Sequence, residues 1–181
     1  EEVTAATDRC FAGEPLQLPL YISPIAIIYN IPSLDAEHLQ LTAETTAKIF
    51  NREITAWNDP AIAAENPGVT LPELDIIPVN RSDESGTTEN FTEWLVAAAN
   101  GAWPHEASGD WPLSGGQSGA QTQGMIDTVS SAEGTIGYAD ASRAGDLGTV
   151  AVGVGDAFVP YSAEAAAAVV DASPAAEGAS D

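Results

Sequence analysis

The residues best suited to chemistry lie close together between positions 81 and 87. Arg81, Asp83, Ser85 and Thr87 alternate along this stretch, and Gly86 separates the two hydroxyl side chains. A guanidinium presents a planar fork of N–H donors that matches two oxygens of a tetrahedral oxyanion. Asp83, two residues on, would hold that fork in place, and the hydroxyls add further donors. These residue types predict an oxyanion-binding site.

The segment lies where a predicted strand passes into a predicted helix. Residues 76–79 have the composition of a strand, and residues 87–99 carry apolar side chains at helical spacing. A helix start leaves backbone N–H groups without intrahelical acceptors and carries partial positive charge, so it attracts anions. Gly86 permits a close approach of the backbone to a ligand. Spacing alone also allows a simpler interpretation, a helix cap beside an Arg81–Asp83 surface pair.

A second kind of chemistry uses the same residues. A phosphatase-like or phosphoryl-transfer enzyme would employ Ser85 as the nucleophile and Arg81 as the anion clamp. Such a serine needs a general base and an acid that orients the base. The order around it is Glu-Ser-Gly and not Gly-x-Ser-x-Gly, and no such base is evident nearby. We therefore predict a binding protein and no enzyme, and keep the enzyme as the alternative.

Other reactive residue types form no recognisable centre. His38 and His105 lie far apart, without Cys or carboxylate clusters at the spacing of metal ligands, and are predicted to be loop or surface residues. Cys10 is the only cysteine, so no disulfide forms within the chain. The glycines between 115 and 119 lack the Lys-Ser/Thr ending of a P-loop. No metal and no cofactor is predicted.

Strand and helix patterns alternate along the chain, which predicts an α/β fold with a mixed sheet flanked by helices. The apolar run at residues 25–29 predicts a strand buried on both faces. Capping residues predict further helices at 43–50, 60–65 and 163–171, and another helix is predicted at 120–131. Residues 101–119 are predicted to form a long loop, and Gly155-Asp156 the turn of a hairpin. Residues 173–181 have the composition of a tail.

The composition excludes some partners. The chain has 181 residues, with 27 Asp and Glu against 5 Lys and Arg, a formal net charge of -22. Nucleic acids and anionic membranes require clustered basic residues, so neither is a predicted partner. Exposed charges are screened beyond about 10 Å at moderate salt, so the groups that line a pocket decide whether it accepts an anion. The acidity therefore does not forbid an oxyanion site.

Residues 81–88 (RSDESGTT) and 90–92 (NFT) closely resemble the phosphate loop of the periplasmic phosphate-binding proteins. Further segments match that family in the same order, and several ordered motifs are more specific than any one of them. These segments are 41–60, 66–72, Trp111-Pro112 before a glycine-rich run, and 134–138 (GTIGY). The resemblance covers about residues 16–141 and is to the second lobe of the PstS family, the solute receptors of phosphate-importing ABC transporters.

This resemblance implies a periplasmic-binding-protein type II-like lobe. The family folds as two α/β lobes that clamp phosphate, so Arg81 would grip phosphate oxygens. Ser85, Gly86 and Thr87 would donate backbone N–H groups, Ser85 and Thr87 would add hydroxyls, and Asp83 would orient Arg81. Glu84 stands where much of the family has Gly.

The same resemblance implies how the chain is organised. Residues 1–15 would lead in through a hinge approach, 16–141 would form the lobe, with a hinge segment near 16–22, and 142–181 would hold the hinge return, a final helix and the tail. No segment matches the family's first lobe, whose carboxylate accepts the proton of phosphate. The implied partners are inorganic phosphate, that missing first lobe and the ABC permease, and the implied location is extracytoplasmic.

Overall fold

The computed structural model describes residues 2–10 and 23–172. Residues 23–162 form one compact unit, and the helices at the two ends of the described chain fall in a second unit. No helix in these described ranges is long and apolar enough to span a membrane. The predicted hinge segment at 16–22 and the predicted tail at 173–181 lie outside the described residues.

Short helices and strands alternate along the chain. The helices are α1 (Glu2–Arg9), α2 (Ala43–Phe50), α3 (Pro60–Glu65), α4 (Gly86–Ala98), α5 (Gln121–Ser130) and α6 (Ala163–Ala172). The strands are β1 (Ile25–Tyr29), β2 (Leu39–Leu41), β3 (Ile77–Arg81), β4 (Gln117–Gly119), β5 (Thr135–Asp140), β6 (Gly148–Val154) and β7 (Ala157–Val159). A 3₁₀ helix, Ala141–Arg143, follows β5.

Within the described residues, the strands form one mixed sheet. Its order is β2-β6-β1-β5-β3-β4, with β7 paired to β6. β1 runs antiparallel to both of its neighbours, β5 and β6, while β3 runs parallel to β4 and β5. The apolar sequence of β1 agrees with its interior position, where four of its five residues are buried. The predicted α/β class with a mixed sheet is confirmed.

β5 separates the two helices that flank the site. A Cβ atom added at Gly137 would lie 2.9 Å from the Met125 sulfur on α5. The next residue, Tyr138, stacks on Phe91 of α4 at a ring-centroid distance of 4.4 Å. Because consecutive residues of a strand point to opposite faces, α4 and α5 cover opposite faces of β5. Both helices begin just after a parallel strand, α4 after β3 and α5 after β4, so their first turns meet at one edge of the sheet.

Two helix caps and the hairpin are confirmed, one predicted loop needs correction and one strand was missed. Thr42 caps α2 by accepting a hydrogen bond from the Thr45 N–H, and Asp59 caps α3 in the same way. The hairpin around Gly155-Asp156 is formed by β6 and β7. The predicted loop at 101–119 is wrong at its end, because residues 117–119 pair with β3 as β4. β2 was not predicted, because a three-residue strand is too short to show a period.

A close backbone approach fixes the junction between β4 and α5. A Cβ atom at Gly119 would lie 2.2 Å from the Gly124 carbonyl oxygen, so the Gly119→Ala variant requires a backbone shift. We expect this shift to lower the free energy of unfolding by about 1–3 kcal/mol. Urea unfolding measures the effect, and Gln117→Ala, at an exposed position of the same strand, is expected to change stability by less than about 0.5 kcal/mol. Equal stability of the two variants would contradict the close approach.

Candidate functional site

Arg81, the last residue of β3, is held by the carboxylate of Asp83. The guanidinium donates from Nε to Oδ1 at 2.8 Å and from Nη2 to Oδ2 at 2.6 Å. The Arg81 side chain is only 10% exposed, whereas that of Asp83 is 37% exposed. Two parallel hydrogen bonds fix the plane of the guanidinium as well as its position. The arginine is therefore oriented before any ligand arrives.

The remaining edge of the guanidinium faces Ser85. Arg81 Nη1 donates to Ser85 Oγ at 2.8 Å, and the Thr87 N–H donates to the same oxygen at 3.2 Å. A hydroxyl oxygen accepts two hydrogen bonds and donates one. With both lone pairs engaged, Ser85 has only its proton to offer, and no acceptor for that proton lies among the described residues. Ser85 is set to donate to an external acceptor.

Asp83 is also bound by the start of α5. The Gln121 N–H donates to Asp83 Oδ1 at 2.9 Å. The hydrogen bonds from Arg81, and then that from Gln121, hold the pKa of the Asp83 carboxyl far below its ordinary value. Asp83 therefore stays ionised over the whole neutral and mildly acidic range. One carboxylate thus connects the end of β3 to the first turn of α5.

The Tyr138 side chain contacts the backbone of Arg81. Its hydroxyl accepts a hydrogen bond from the Arg81 backbone N–H at 3.3 Å and lies 2.8 Å from the hydroxyl of Thr88. The ring is buried between Phe91 and Trp111 and stacks on both. Burial raises the pKa of the Tyr138 phenol, so it remains protonated at neutral pH. The aromatic cluster of Phe91, Trp111 and Tyr138 thus packs beneath the Arg81 backbone.

The backbone N–H groups of the loop differ in their availability. From the family resemblance, Ser85, Gly86 and Thr87 are all expected to offer backbone N–H groups to a ligand. The Ser85 N–H instead donates to the Gly109 carbonyl at 3.0 Å, and the Thr87 N–H is used by the serine cap. Gly86 is exposed, and its N–H has no acceptor within the described part of the chain. Gly86 is therefore the open backbone donor of the three.

A cavity of about 320 Å³ lies beside this loop. Arg81 and Asp83 line one side of it, and residues of the 110–118 segment line the other, including Asp110, Trp111 and Gly116. Ser85, Gly86 and Thr87 are adjacent to the cavity and do not line it. The structure therefore joins Arg81 to Asp83 and Ser85 by hydrogen bonds and leaves Gly86 and Thr87 outside the cavity lining. The positions of Asp110 and Trp111 in the cavity wall were not predicted, because no local sequence pattern places either residue there.

Other candidate centres do not assemble. The His38 ring lies 2.8 Å from the Thr149 hydroxyl, and the His105 ring lies 3.0 Å from the Asn51 amide oxygen. Both histidines are partly buried. Across residues 2–10 and 23–172, no group of three or more His, Cys, Asp or Glu is placed to hold a metal ion.

The comparison with sequence families gives one match over nearly the whole chain. A family described as a PBP superfamily domain matches residues 1–177. Phosphate-binding protein PstS 3 of Mycobacterium leprae (strain TN) is 44% identical over 138 residues, which are 76% of this chain and 37% of that protein. The chain thus spans little more than a third of the length of this curated relative.

Solved structures share the fold. The phosphate-bound periplasmic phosphate-binding protein PfluDING matches with a TM-score of 0.69 at 21% identity, over 88% of this chain and 46% of that chain. An ABC-type phosphate transport receptor from Vibrio cholerae matches with a TM-score of 0.52 at 18% identity, over 72% of this chain and 46% of that chain. At these identities the likeness shows the fold alone.

The low pKa of Asp83 gives a pH dependence with a definite sign. An unfolded aspartate titrates at about 3.9, and the folded pKa lies below that value. The ionised Asp83 therefore stabilises the folded state fully above that pH, and this contribution is lost as the pH falls through the folded pKa. We expect the stability of the wild type to fall more steeply between about pH 5 and pH 3 than that of Asp83→Asn.

Urea unfolding at a series of pH values measures this difference. Asp156→Asn, in the exposed turn between β6 and β7, controls for the loss of one negative charge. Parallel pH profiles for the wild type and Asp83→Asn would contradict the assigned ion pair.

Proposed function

Because this chain belongs to the PBP superfamily and to the PstS family, we propose that it binds inorganic phosphate as part of the solute receptor of a phosphate-importing ABC transporter. The observation that carries the proposal is a set of oriented donors without an internal acceptor. These donors are the free N–H bonds of the Arg81 guanidinium, the Ser85 hydroxyl and the Gly86 N–H. Donors at a helix start are suited to an oxyanion.

The donor set accounts for recognition in physical terms. Arg81 has five N–H bonds, of which two go to Asp83 and one to Ser85, so two remain for ligand oxygens. The Arg81 charge is balanced by Asp83, so the ligand is held through directed hydrogen bonds and not through a bare charge. Thr87 is the second residue of α4, and its hydroxyl is a further donor beside the loop. Phosphate, with four oxygens, has enough acceptors for this arrangement.

The chain supplies only part of the complete site. The relatives named as phosphate-binding proteins are more than twice its length. We assign residues 16–141 to the second lobe, residues 1–15 to the lead-in, and residues 142–181 to the hinge return, a final helix and the tail. A first lobe would contribute the opposing donors and the carboxylate that accepts the proton of phosphate. The closed form is recognised by the permease on the extracytoplasmic side, in agreement with the periplasmic relative PfluDING.

Phosphate binding is expected to depend on the Ser85 hydroxyl. A hydrogen bond to a charged ligand contributes about 1.5–3 kcal/mol, so Ser85→Ala should weaken binding about 10- to 100-fold. Ser85→Thr, which keeps a hydroxyl and a helix cap, should bind more tightly than Ser85→Ala. Calorimetric titration of the chain with phosphate measures these affinities. Arg81→Ala should abolish measurable binding, because it removes the fork and frees Asp83 to repel the anion.

The matched control for the titration is Ser130→Ala, at an exposed serine at the end of α5. Circular dichroism must show that every variant is folded at the titration temperature. The site assignment is wrong if Ser85→Ala and Ser130→Ala bind phosphate equally well.

We also infer that the chain binds phosphate without catalysis. A nucleophilic serine must donate its proton to a base, whereas Ser85 Oγ is surrounded by the donors Arg81 and Thr87. A cationic guanidinium 2.8 Å away cannot take a proton. We therefore expect no turnover of p-nitrophenyl phosphate, with or without Mg²⁺, in a colorimetric assay. Sustained turnover that is lost in Ser85→Ala would support the enzyme in place of the receptor.

A further inference from the structure

Arg52 has an unusual backbone conformation next to the cavity. It follows the last turn of α2 with φ of 63°, a conformation that side chains with a Cβ atom rarely adopt and that glycine adopts freely. The turn itself places no demand on a guanidinium, because its hydrogen bonds are made by the backbone. A strained position that carries a long cationic side chain suggests a role for that side chain.

The side chain extends to the wall of the cavity. Arg52 Nη1 donates to the Ser114 carbonyl oxygen at 3.1 Å, 62 residues away in sequence. Its Nη2 lies so close to Gly116 that a Cβ atom there would be only 2.6 Å from it. Gly116 lines the cavity together with Arg81. The Arg52 guanidinium therefore lies against Gly116, in the wall of the cavity that Arg81 also lines.

Arg52 has no ion-pair partner within the described residues. The ion pairs found there join Lys48 to Glu44 and Arg81 to Asp83. The carboxylate of Glu53, next to Arg52 in the chain, accepts a hydrogen bond from Asn51 instead. Arg52 is also exposed, so its charge acts on the solvent at the cavity mouth.

The charges that line the cavity show why a further cation matters. One guanidinium, Arg81, stands against two carboxylates, Asp83 and Asp110, so the lining alone is negative by one unit. In a chain with a net charge of -22, an approaching dianion meets repulsion both globally and locally. Arg52, beside Ser114 and Gly116, adds a positive charge next to this lining and so offsets its excess of negative charge.

We propose that Arg52 is a second cationic group of this site, which attracts the anion to the cavity, where the anion then binds Arg81. This inference rests on the proposed phosphate binding for its biological meaning, although anion recruitment is measurable without it. Asp110 and Asp83 set the repulsion that Arg52 offsets, and the Ser114 contact keeps its guanidinium at the wall. The effect is electrostatic and is therefore largest at low ionic strength.

Quenching of tryptophan fluorescence by iodide tests the recruitment directly. Trp111 lines the cavity, whereas Trp57 and Trp103 are buried, so a Trp94→Phe background reports mainly on Trp111. Arg52→Gly should lower the iodide quenching constant about twofold or more at low salt and leave acrylamide quenching unchanged. Arg52→Lys, which keeps the charge, should retain iodide quenching. The glycine variant should unfold at an equal or higher urea concentration, because it relieves the positive φ.

The matched control is Arg143→Gly, which removes the same charge from a residue that hydrogen-bonds to Gln123, whereas Arg52 contacts the cavity wall at Gly116. An unchanged ratio of iodide to acrylamide quenching in Arg52→Gly would overturn the proposal. An equal rise for both quenchers would also overturn it, since Arg52 would then only hold the wall. Phosphate titration of the wild type decides the proposed function separately, because the quenching ratio requires no bound phosphate.

Discussion

The ion pair between Arg81 and Asp83 is the constraint on which the site depends. The Arg81 side chain is largely withdrawn from water, so the N–H groups that do not face the cavity need acceptors within the protein. Asp83 supplies two of them and also accepts from the first turn of α5, at a residue whose φ is 58°. One exposed ion pair adds little to stability in general. Here its consequence is geometric, because it fixes β3 and α5 relative to the start of α4.

The second constraint is the pairing of β3 with β4. The Ser82 N–H donates to the Gly119 carbonyl, which extends the ladder by one residue beyond Arg81. This pairing restricts the path of the loop after β3. Further along the loop, the Ser85 N–H donates to the Gly109 carbonyl oxygen. The segment of residues 101–119 thus restricts the position of the phosphate loop, residues 81–88, through these backbone hydrogen bonds. The glycines in it allow backbones to approach where side chains would collide.

The parts of this architecture that were predictable are those set by neighbours in sequence. Thr42 and Asp59 identify helix starts because a cap acts within three residues, and the Arg81–Asp83–Ser85 arrangement is likewise local. β2 and β4 escaped prediction because each is a three-residue strand stabilised by partners far along the chain. The engagement of the Ser85 N–H by Gly109 was missed for the same reason. Arg52 gave one usable signal, as one of only five basic residues.

The two hydrogen bonds accepted by Ser85 have a consequence for the orientation of a bound ligand. Its hydroxyl proton and the two remaining Arg81 N–H bonds are all donors, so they select ligand atoms that are strong acceptors. The three unprotonated oxygens of monohydrogen phosphate are stronger acceptors than its hydroxyl oxygen. The protonated oxygen is therefore favoured on the side away from α4, so the loop biases which face of the anion is presented to whatever closes over it.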